Sequence, residues 1–355
     1  MRCSGLQHAE EMGERMIRTL HTFQVQRLEI LDEQGKEDTK LMPKLSKQQI
    51  IELYRWMLLA REYDDKALKL QRSGRLGTYA SMLGQEAAII GSSYALRKQD
   101  WLFPSFRMTG AMLLRGVDMA TSYSYWGGDE RGSNFPNNVN VFPLCITVGE
   151  QPLHAAGYAW GLKLKKQNAV VLTDFGDGGT STGDFHEAMN FAGVFKLPII
   201  LLCQNNQWAI SVPVSKQTAA DTIAQKAIAY GIKGIQVDGN DVFAMYKATT
   251  EAIADAQKGR PTLIEAHTYR MSDHTTSDDA ARYRTEKELN EWRKKDPILR
   301  LRRYMERKKI WSEKEDAALR KALSMKVDLA VKEYEAIPRA PREDMFKYTI
   351  AGGVK

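Results

Sequence analysis

The stretch from Val170 to Ile210, VVLTDFGDGGTSTGDFHEAMNFAGVFKLPIILLCQNNQWAI, decides the fold. It opens with an apolar run that ends in Gly-Asp-Gly-Gly at residues 176–179, and a helix-like segment leads to a second apolar run that ends in Asn-Asn at 205–206. Apolar strands joined by a helix are typical of a βαβ unit with parallel strands. Ligands gather at the carboxyl ends of parallel strands. The Gly-Asp-Gly at 176–178 and the Asn-Asn at 205–206 are therefore expected to form one site, although residues 179–204 separate them.

The same alternation extends on both sides of this unit. A helix is expected over residues 155–165, a strand at GIQVDG (234–239), a helix from Asp241 to about Lys258, and a strand at TLIEAHTYR (262–270). Upstream, Ser46 precedes apolar residues at helical spacing and is expected to cap a helix. The pattern predicts an α/β fold whose parallel sheet is covered by helices on both faces.

Three parts of the chain differ in character. Residues 1–45 are predicted to be an N-terminal extension of mixed polarity, residues 46–285 the α/β domain, and residues 286–355 a charged helical C-terminal region with a tail. The Gly/Asn-rich segment 127–140 is expected to be a long loop that is functional or lies under a partner.

Composition narrows the class of protein. The chain has 355 residues, 43% of them hydrophobic, which is enough for a sizeable core. The longest apolar runs are too short to span a bilayer, and the first residues offer no secretory apolar segment. Its three cysteines suit a reducing cytoplasm. The net charge of +7 is spread over several helical stretches, so nucleic acid is not an expected partner, whereas an anionic cofactor is compatible.

The residues at the strand ends favour a metal and a phosphorylated ligand. Glycines let a backbone approach a ligand closely, and free amides at a helix start favour phosphate. Asp177 and Asn206 offer hard oxygen ligands of the kind Mg²⁺ takes together with phosphate oxygens. A dinucleotide fingerprint is disfavoured because Ser181 occupies its last glycine position, and no lysine follows as in a Walker loop. A purely structural strand-to-helix turn remains the alternative for either motif alone.

Two histidines follow in the last predicted strand and the loop after it. His267 lies inside the strand and is interpreted as a core residue. His274 lies in the polar loop DHTTSDD, from which it could reach the same crevice. A lone loop histidine is usually a surface residue, so its candidacy depends on the rest of the site.

The sequence resembles a known family at these motifs. GDG, 26 residues and NN match the thiamine diphosphate motif, and the surrounding sequence is similar to the alpha chain of the decarboxylating component of 2-oxo acid dehydrogenase complexes. VDGNDVFAMYKAT, LIEAHTYR and HTTSDDAARYR resemble the branched-chain 2-oxo acid dehydrogenase alpha chain most, with weaker likeness at GQEAA, FPSFR and VGEQP. The resemblance implies the thiamine diphosphate-binding fold, with thiamine diphosphate and Mg²⁺ as cofactors.

The resemblance also implies roles for individual residues. The implied cofactor-binding residues are Phe106, Arg107, Val148, Gly176, Asp177, Gly178, Gly179, Asn206, Trp208 and His274. The implied Mg²⁺ ligands are the side chains of Asp177 and Asn206 and the backbone carbonyl of Trp208, and His274 is the implied catalytic residue. Phe106 replaces the family's tyrosine and Gln204 stands where a cation could pair with phosphate, so two contacts are lost. Thr275 and Thr285 replace serines that are phosphorylated in regulated relatives, and no phosphoregulation is expected.

The implied activity is decarboxylation of a 2-oxo acid, with transfer of the acyl group to a lipoyl group on an acyltransferase component. The implied partner is a beta subunit, two copies with two of this chain, because only one cofactor-binding α/β domain fits in the sequence. Three alternatives stay open: a pyruvate or acetoin dehydrogenase alpha chain, a non-catalytic paralogous subunit, and an NAD-linked oxidoreductase. Tyr79, Met82 and Ser105 are candidates for the acyl pocket.

Overall fold

The computed structural model describes residues 19–347. The first part of the predicted extension, with Cys3, and the last residues of the predicted tail, 348–355, lie outside the described residues. Six parallel strands form the main sheet: β1 (Gln26–Leu28), β2 (Trp101–Phe103), β3 (Val171–Gly176), β4 (Ile199–Asn205), β7 (Lys233–Asp238) and β8 (Thr262–His267). Their order across the sheet is β1-β7-β8-β4-β3-β2. The strands β5 (Trp208–Ala209) and β6 (Val212–Pro213) form a small antiparallel hairpin beside it.

The helices surround this sheet. They are α1 (Lys47–Arg72), α2 (Glu86–Tyr94), α3 (Thr109–Leu114), α4 (Met119–Trp126), α5 (Glu150–Leu164), α6 (Gly183–Phe195), α7 (Val242–Ala256), α8 (Glu286–Arg293), α9 (Pro297–Arg307), α10 (Glu313–Glu335) and α11 (Asp344–Lys347). Ser46 caps α1 as predicted: its side chain accepts from the amide of Gln49, whose side chain accepts in turn from the amide of Ser46.

Each face of the sheet has its own apolar core. On one face α5 and α6 pack against β3 and β4, with Phe175, Phe185 and Leu201 among the fully covered side chains. On the other face α7 packs against β4, β7 and β8, and α2 packs on α7. The continuous apolar runs of β3 and β4 are therefore buried on both sides, as expected for parallel strands. The predicted fold, a parallel sheet covered on both faces, is confirmed.

The segment before residue 46 contributes to the sheet. β1 pairs in parallel with β7, with Arg27 opposite Gln236. Asp241 fastens the residues that follow β1, because its Oδ2 accepts from the amides of Ile30 at 2.7 Å and Leu31 at 2.6 Å. The predicted boundaries at residues 45 and 285 stay predictions.

The Gly/Asn-rich segment 127–140 is partly ordered by its neighbours. It contains a 3-10 turn at Glu130–Ser133, and Gly132 packs closely on the backbone of Tyr125. Arg131 ties this segment to the region after α10 by donating to the carbonyl of Pro338 at 2.6 Å. Within residues 19–347, no helix combines the length and apolarity that a membrane crossing requires.

Candidate active site

Polar side chains converge where the central strands end. β3 and β4 are neighbours, with Gly176 opposite Gln204, and Asn205 lies opposite His267 of β8. A cavity of about 240 Å³ opens at this edge of the sheet. All ten predicted cofactor-binding residues line it: Phe106, Arg107, Val148, Gly176, Asp177, Gly178, Gly179, Asn206, Trp208 and His274. The structure thus brings together residues that five separate segments of the chain supply.

Asp177 lies in a 3-10 turn (Asp177–Ser181) between β3 and α6. This turn separates the glycines from the helix, which starts at Gly183 after its cap, Thr182. The carboxylate of Asp177 is 2% exposed and accepts from Nε2 of Gln217 at 2.7 Å. Burial raises the pKa of Asp177 from 3.8 to about 6, although Gln217 and nearby amides favour the charged form. An unneutralised carboxylate at this depth is a good ligand for a cation.

Asn206 and Trp208 lie on the turn after β4. The amide of Trp208 faces Oδ1 of Asn206 at 3.4 Å, and Nδ2 of Asn206 donates to Gln85 at 3.0 Å. Gln207 and Ile210 have φ of 74° and 54°, a left-handed conformation that is rare for a β-branched side chain such as isoleucine. Such strain is typically found at functional turns. Asn205, by contrast, points to Glu265 at 2.7 Å and is not among the lining residues.

The glycines leave room along the cavity wall. A Cβ placed on Gly176 would meet no atom within 4 Å, and one on Gly178 would come within 2.7 Å of Cβ of Ala209. A side chain at Gly176 would project into free space that a ligand can use. One at Gly178 would collide with the hairpin, so this glycine is needed for packing.

Among the described residues, two buried guanidinium groups have no carboxylate partner: Arg107 lines the cavity, whereas Arg270 contacts residues that line it. Within residues 19–347, Arg107 bonds only to neutral groups, the carbonyls of Ser81 at 2.7 Å and His274 at 2.7 Å and the ring of His274. Arg270 donates to the carbonyls of Trp208 at 3.1 Å and Ile210 at 2.8 Å. Burial and the charge of Arg270 lower the pKa of Arg107 to about 9. Two cations held this way create a strong demand for an anion.

His274 lies between these two cations. Its Nδ1 is 3.0 Å from Arg107 and 3.3 Å from Arg270. Burial and both positive charges lower the pKa of His274 to about 4, so the ring is neutral near pH 7. Asp278 positions the loop by accepting from the amide of His274 at 2.8 Å and from the hydroxyl of Tyr283. His267, interpreted as a core residue, is half-buried beside Trp292 and does not line this cavity.

Several polar lining residues carried no strong signal in the sequence. Asp174 lies inside β3, is fully buried, and accepts from the hydroxyl of Ser105 and from Nε2 of Gln204 at 2.6 Å. Burial raises the pKa of Asp174 to about 6. Oε1 of Gln204 and Nε2 of Gln85 are buried and have no hydrogen-bond partner in the described part of the chain. A carboxylate inside an otherwise apolar strand was the available signal for Asp174, because such groups are rarely buried without a role.

Only one of the three candidates for the acyl pocket faces the cavity. Ser105 lines it, whereas Tyr79 and Met82 do not. Tyr79 is fully buried and its hydroxyl donates to Asp64 at 2.8 Å. These two positions therefore support the wall from behind.

The fold and the site define a class. A doubly covered parallel sheet with a buried carboxylate, free glycines and unpaired cations at its carboxyl edge is an α/β protein that binds an anionic ligand together with a cation. Residues 54–343 match the family described as the dehydrogenase E1 component. The chain belongs to this family.

Individual relatives are alpha subunits. The chain is 47% identical over 308 residues to the pyruvate dehydrogenase E1 component subunit alpha of Acholeplasma laidlawii, covering 86% of this chain and 89% of that protein. It is 45% identical over 309 residues to the protein of the same name from Staphylococcus aureus, covering 86% and 84%. The E1 alpha type is confirmed, but these relatives favour the pyruvate alternative over the branched-chain assignment.

Proposed function

We propose that this chain is the alpha subunit of a pyruvate dehydrogenase E1 component and binds thiamine diphosphate with Mg²⁺. The observation that carries the proposal is that one cavity is lined both by Arg107, which has no carboxylate partner within residues 19–347, and by the buried carboxylate of Asp177. A diphosphate satisfies the cations, and Mg²⁺ satisfies the carboxylate. Membership of the dehydrogenase E1 component family supports thiamine diphosphate as the ligand.

The residues present fit this pair of ligands. Asp177, Oδ1 of Asn206 and the carbonyl of Trp208 would hold Mg²⁺, which typically takes one or two carboxylates and leaves its other positions to phosphate and water. Gly176 leaves the space that the diphosphate needs, and Arg107 would bind its oxygens. Phe106 contributes no hydroxyl, so the cation of Arg107 carries this contact without help from its neighbour.

Thiamine diphosphate, when bound, supplies the carbon nucleophile and the electron sink for decarboxylation of a 2-oxo acid. The residues of this chain bind and orient it. His274, neutral at pH 7, accepts from the guanidinium groups of Arg107 and Arg270 through Nδ1, so its Nε2 carries the hydrogen and can donate a hydrogen bond to a ligand. Val148, 51% exposed on the wall, offers an apolar surface for the body of the cofactor.

The substrate and partner follow from the relatives rather than from the cavity. Pyruvate is supported by the names of the relatives, and "subunit alpha" in those names supports a second subunit and a complex with a lipoyl-bearing acyltransferase. The exposed apolar side chains of α5 and α6 support a subunit contact on this side of the sheet: Leu153, Trp160, Leu164, Val194 and Phe195.

Co-expression with the candidate beta subunit tests the proposal. We expect decarboxylation of pyruvate with a dye as electron acceptor, dependent on thiamine diphosphate and Mg²⁺, at a kcat/KM at least about tenfold above that for 4-methyl-2-oxopentanoate. Asp184→Asn is the control for Asp177→Asn, because it makes the same change at an acidic residue that does not line the cavity. The Asp184 variant should retain activity. Preference for 4-methyl-2-oxopentanoate would favour the branched-chain assignment instead. No turnover of either acid would favour a non-catalytic subunit.

A further inference from the structure

A second group of metal-ligating side chains lies beside the cavity. Cys145 precedes α5, whereas Glu150 and His154 lie one turn apart at its start and so on one face of the helix. Gly149, at φ 96°, turns the chain between them. One ligand atom of each of the three side chains lies within 4.8 Å of the others, the one such group found within residues 19–347.

The spacing suits a tetrahedral ion. Sγ of Cys145 is 3.6 Å from Oε2 of Glu150. Two ligands at the zinc–sulfur and zinc–oxygen distances of about 2.3 Å and 2.1 Å, at a tetrahedral angle, are about 3.6 Å apart. The ring of His154 lies 6.0 Å from that of Phe142, which limits its movement. The ligand atom of the exposed His154 lies within 4.8 Å of the other two.

The donor set selects the kind of ion. A thiolate and an imidazole favour zinc and similar transition metals over magnesium or calcium, which prefer oxygen ligands. Cysteinate and glutamate together neutralise a divalent charge. Three protein ligands leave the fourth position for water or a group from another chain, the arrangement of an open zinc site.

The position of the three residues gives the ion a structural consequence. Residues 145–149 form the loop that carries Val148 into the cavity wall. Gln151 holds this loop by donating to the carbonyls of Cys145 at 2.9 Å and Thr147 at 3.0 Å. An ion bound to Cys145 and to the two residues of α5 would join the first residue of this loop to the helix.

We propose that Cys145, Glu150 and His154 bind a Zn²⁺-type ion that fixes the loop 145–149 against α5 and so fixes one wall of the cavity. The thiol has only weak alternatives, the carbonyl of Thr147 at 3.8 Å and the carboxylate of Glu150. The site is separate from the proposed Mg²⁺ site, whose ligands are all oxygens, and it does not depend on the proposed reaction.

Cobalt substitution tests ligation directly. The full chain, stripped with chelator under reducing conditions and without thiamine diphosphate, is titrated with Co²⁺. We expect one equivalent with visible d–d bands of a tetrahedral ion and a near-ultraviolet thiolate-to-cobalt charge-transfer band. The double variant Cys3→Ser/Cys203→Ala keeps Cys145 as the sole cysteine of three and should retain this band. Cys145→Ser should abolish it. A wild-type chain without the band, or a band that survives in Cys145→Ser, would overturn the site.

Zinc affinity and loop exchange provide the second readout. Competition with a chromogenic chelator should show that Glu150→Gln and His154→Asn each weaken Zn²⁺ binding by about 100-fold or more, the upper range for loss of an outer-shell partner. Amide hydrogen exchange of residues 145–149 should slow by about tenfold with Zn²⁺ in the wild type, and remain unchanged in Cys145→Ser. All variants are compared by circular dichroism in chelator to establish folding. Unchanged affinity in both variants, or unchanged exchange on zinc binding, contradicts the proposal.

Discussion

At the scale of single residues, the folded, cofactor-free protein stabilises the charged form of the Asp177 side chain less well than water does. Its side chain is covered, and the pKa raised from 3.8 to about 6 means that folding disfavours its charged form. The cost is absent below pH 3.8 and reaches its full value above about pH 6, where it amounts to at most roughly 3 kcal/mol. This residue is therefore placed for a ligand rather than for the fold.

Asp177→Asn should therefore stabilise the cofactor-free chain while removing Mg²⁺-dependent binding of thiamine diphosphate. We expect a higher Tm at pH 8 and roughly half of that gain at pH 5, because pH 5 lies about midway between the pKa of Asp177 in the unfolded chain, 3.8, and its pKa of about 6 in the folded chain. Thermal unfolding across this pH range and calorimetric titration with the cofactor measure both effects. A lower Tm at pH 8, or undiminished cofactor affinity, would contradict the assigned role.

His274 should stay neutral throughout the physiological range in the cofactor-free chain. Its pKa of about 4 results from burial and from the charges of Arg107 and Arg270. Arg107→Gln removes one charge and should raise the pKa of His274 toward its ordinary value of 6.5, whereas Arg107→Lys retains the charge and should leave it low. NMR titration of the ring protons reports the value directly. Equal values in the Gln and Lys variants would show that charge does not cause the shift.

The sequence predicts cavity residues that follow an apolar run, and misses others such as Asp174, which lies inside its strand. Asp177 and Asn206 stand out after apolar runs, and the parallel crossover brings them together. Gln85 comes from a segment whose position depends on how α2 packs, which local periodicity does not contain. Ser105 is a candidate from the sequence and does line the cavity. The neutral groups that bond to Arg107 are likewise brought to it by tertiary packing, which the local sequence pattern does not show.

At the scale of elements, Asp241 joins two parts of the fold. Its Oδ1 caps α7 through the amides of Phe243 at 2.9 Å and Ala244 at 3.1 Å, whereas its Oδ2 holds the amides of Ile30 and Leu31. The sequence predicts the first role from the helix pattern. The second links residues more than 200 positions apart, 211 for Ile30, and has no local signature.

Substitutions of Asp241 should separate these roles. Asp241→Ala removes the cap and leaves buried amides unsatisfied, so we expect a loss of about 3 kcal/mol in the free energy of unfolding. Asp241→Asn can retain the cap while placing an amide group against Ile30 and Leu31. Hydrogen exchange should then quicken at these two amides and not at Phe243 or Ala244. Equal quickening at both ends in the Asn variant would disprove the division of roles.

The elements differ in how well the sequence predicts them. β3, β4 and β8 are apolar runs buried on both faces, and α7 has a clear cap, so their existence follows from local pattern. β1 escapes prediction because it is a three-residue edge strand, QRL, whose polar residues resemble a loop. Its order comes from pairing with β7, and only the folded sheet supplies that partner.

At the scale of the whole molecule, one side of the sheet is left with exposed apolar helices. Trp160 of α5 packs its ring 5.1 Å from Phe191 and 5.0 Å from Phe195 of α6, and it remains 36% exposed. Aromatic side chains in this position often dominate subunit contacts. The face is the natural place for the second subunit of the proposed complex.

Trp160→Glu should weaken assembly with the beta subunit by about tenfold or more while the chain keeps its fold. Lys165→Glu, at the exposed C-cap of the same helix, introduces the same side chain in place of a charged residue and serves as the control. Light scattering of co-purified subunits over a dilution series measures association. Normal assembly of the Trp160 variant would place the contact elsewhere.

The pairing of β1 with β7 has a consequence for how the chain is made. Arg27 and Gln236 are 209 residues apart, so β1 leaves the ribosome long before its neighbour exists. At a synthesis rate of about 5–20 residues per second, the wait is on the order of 10–40 s. During that time the first strand has no ladder to join. The edge of the sheet is thus completed late in synthesis, and a nascent chain arrested before residue 233 should leave residues 26–28 open to protease.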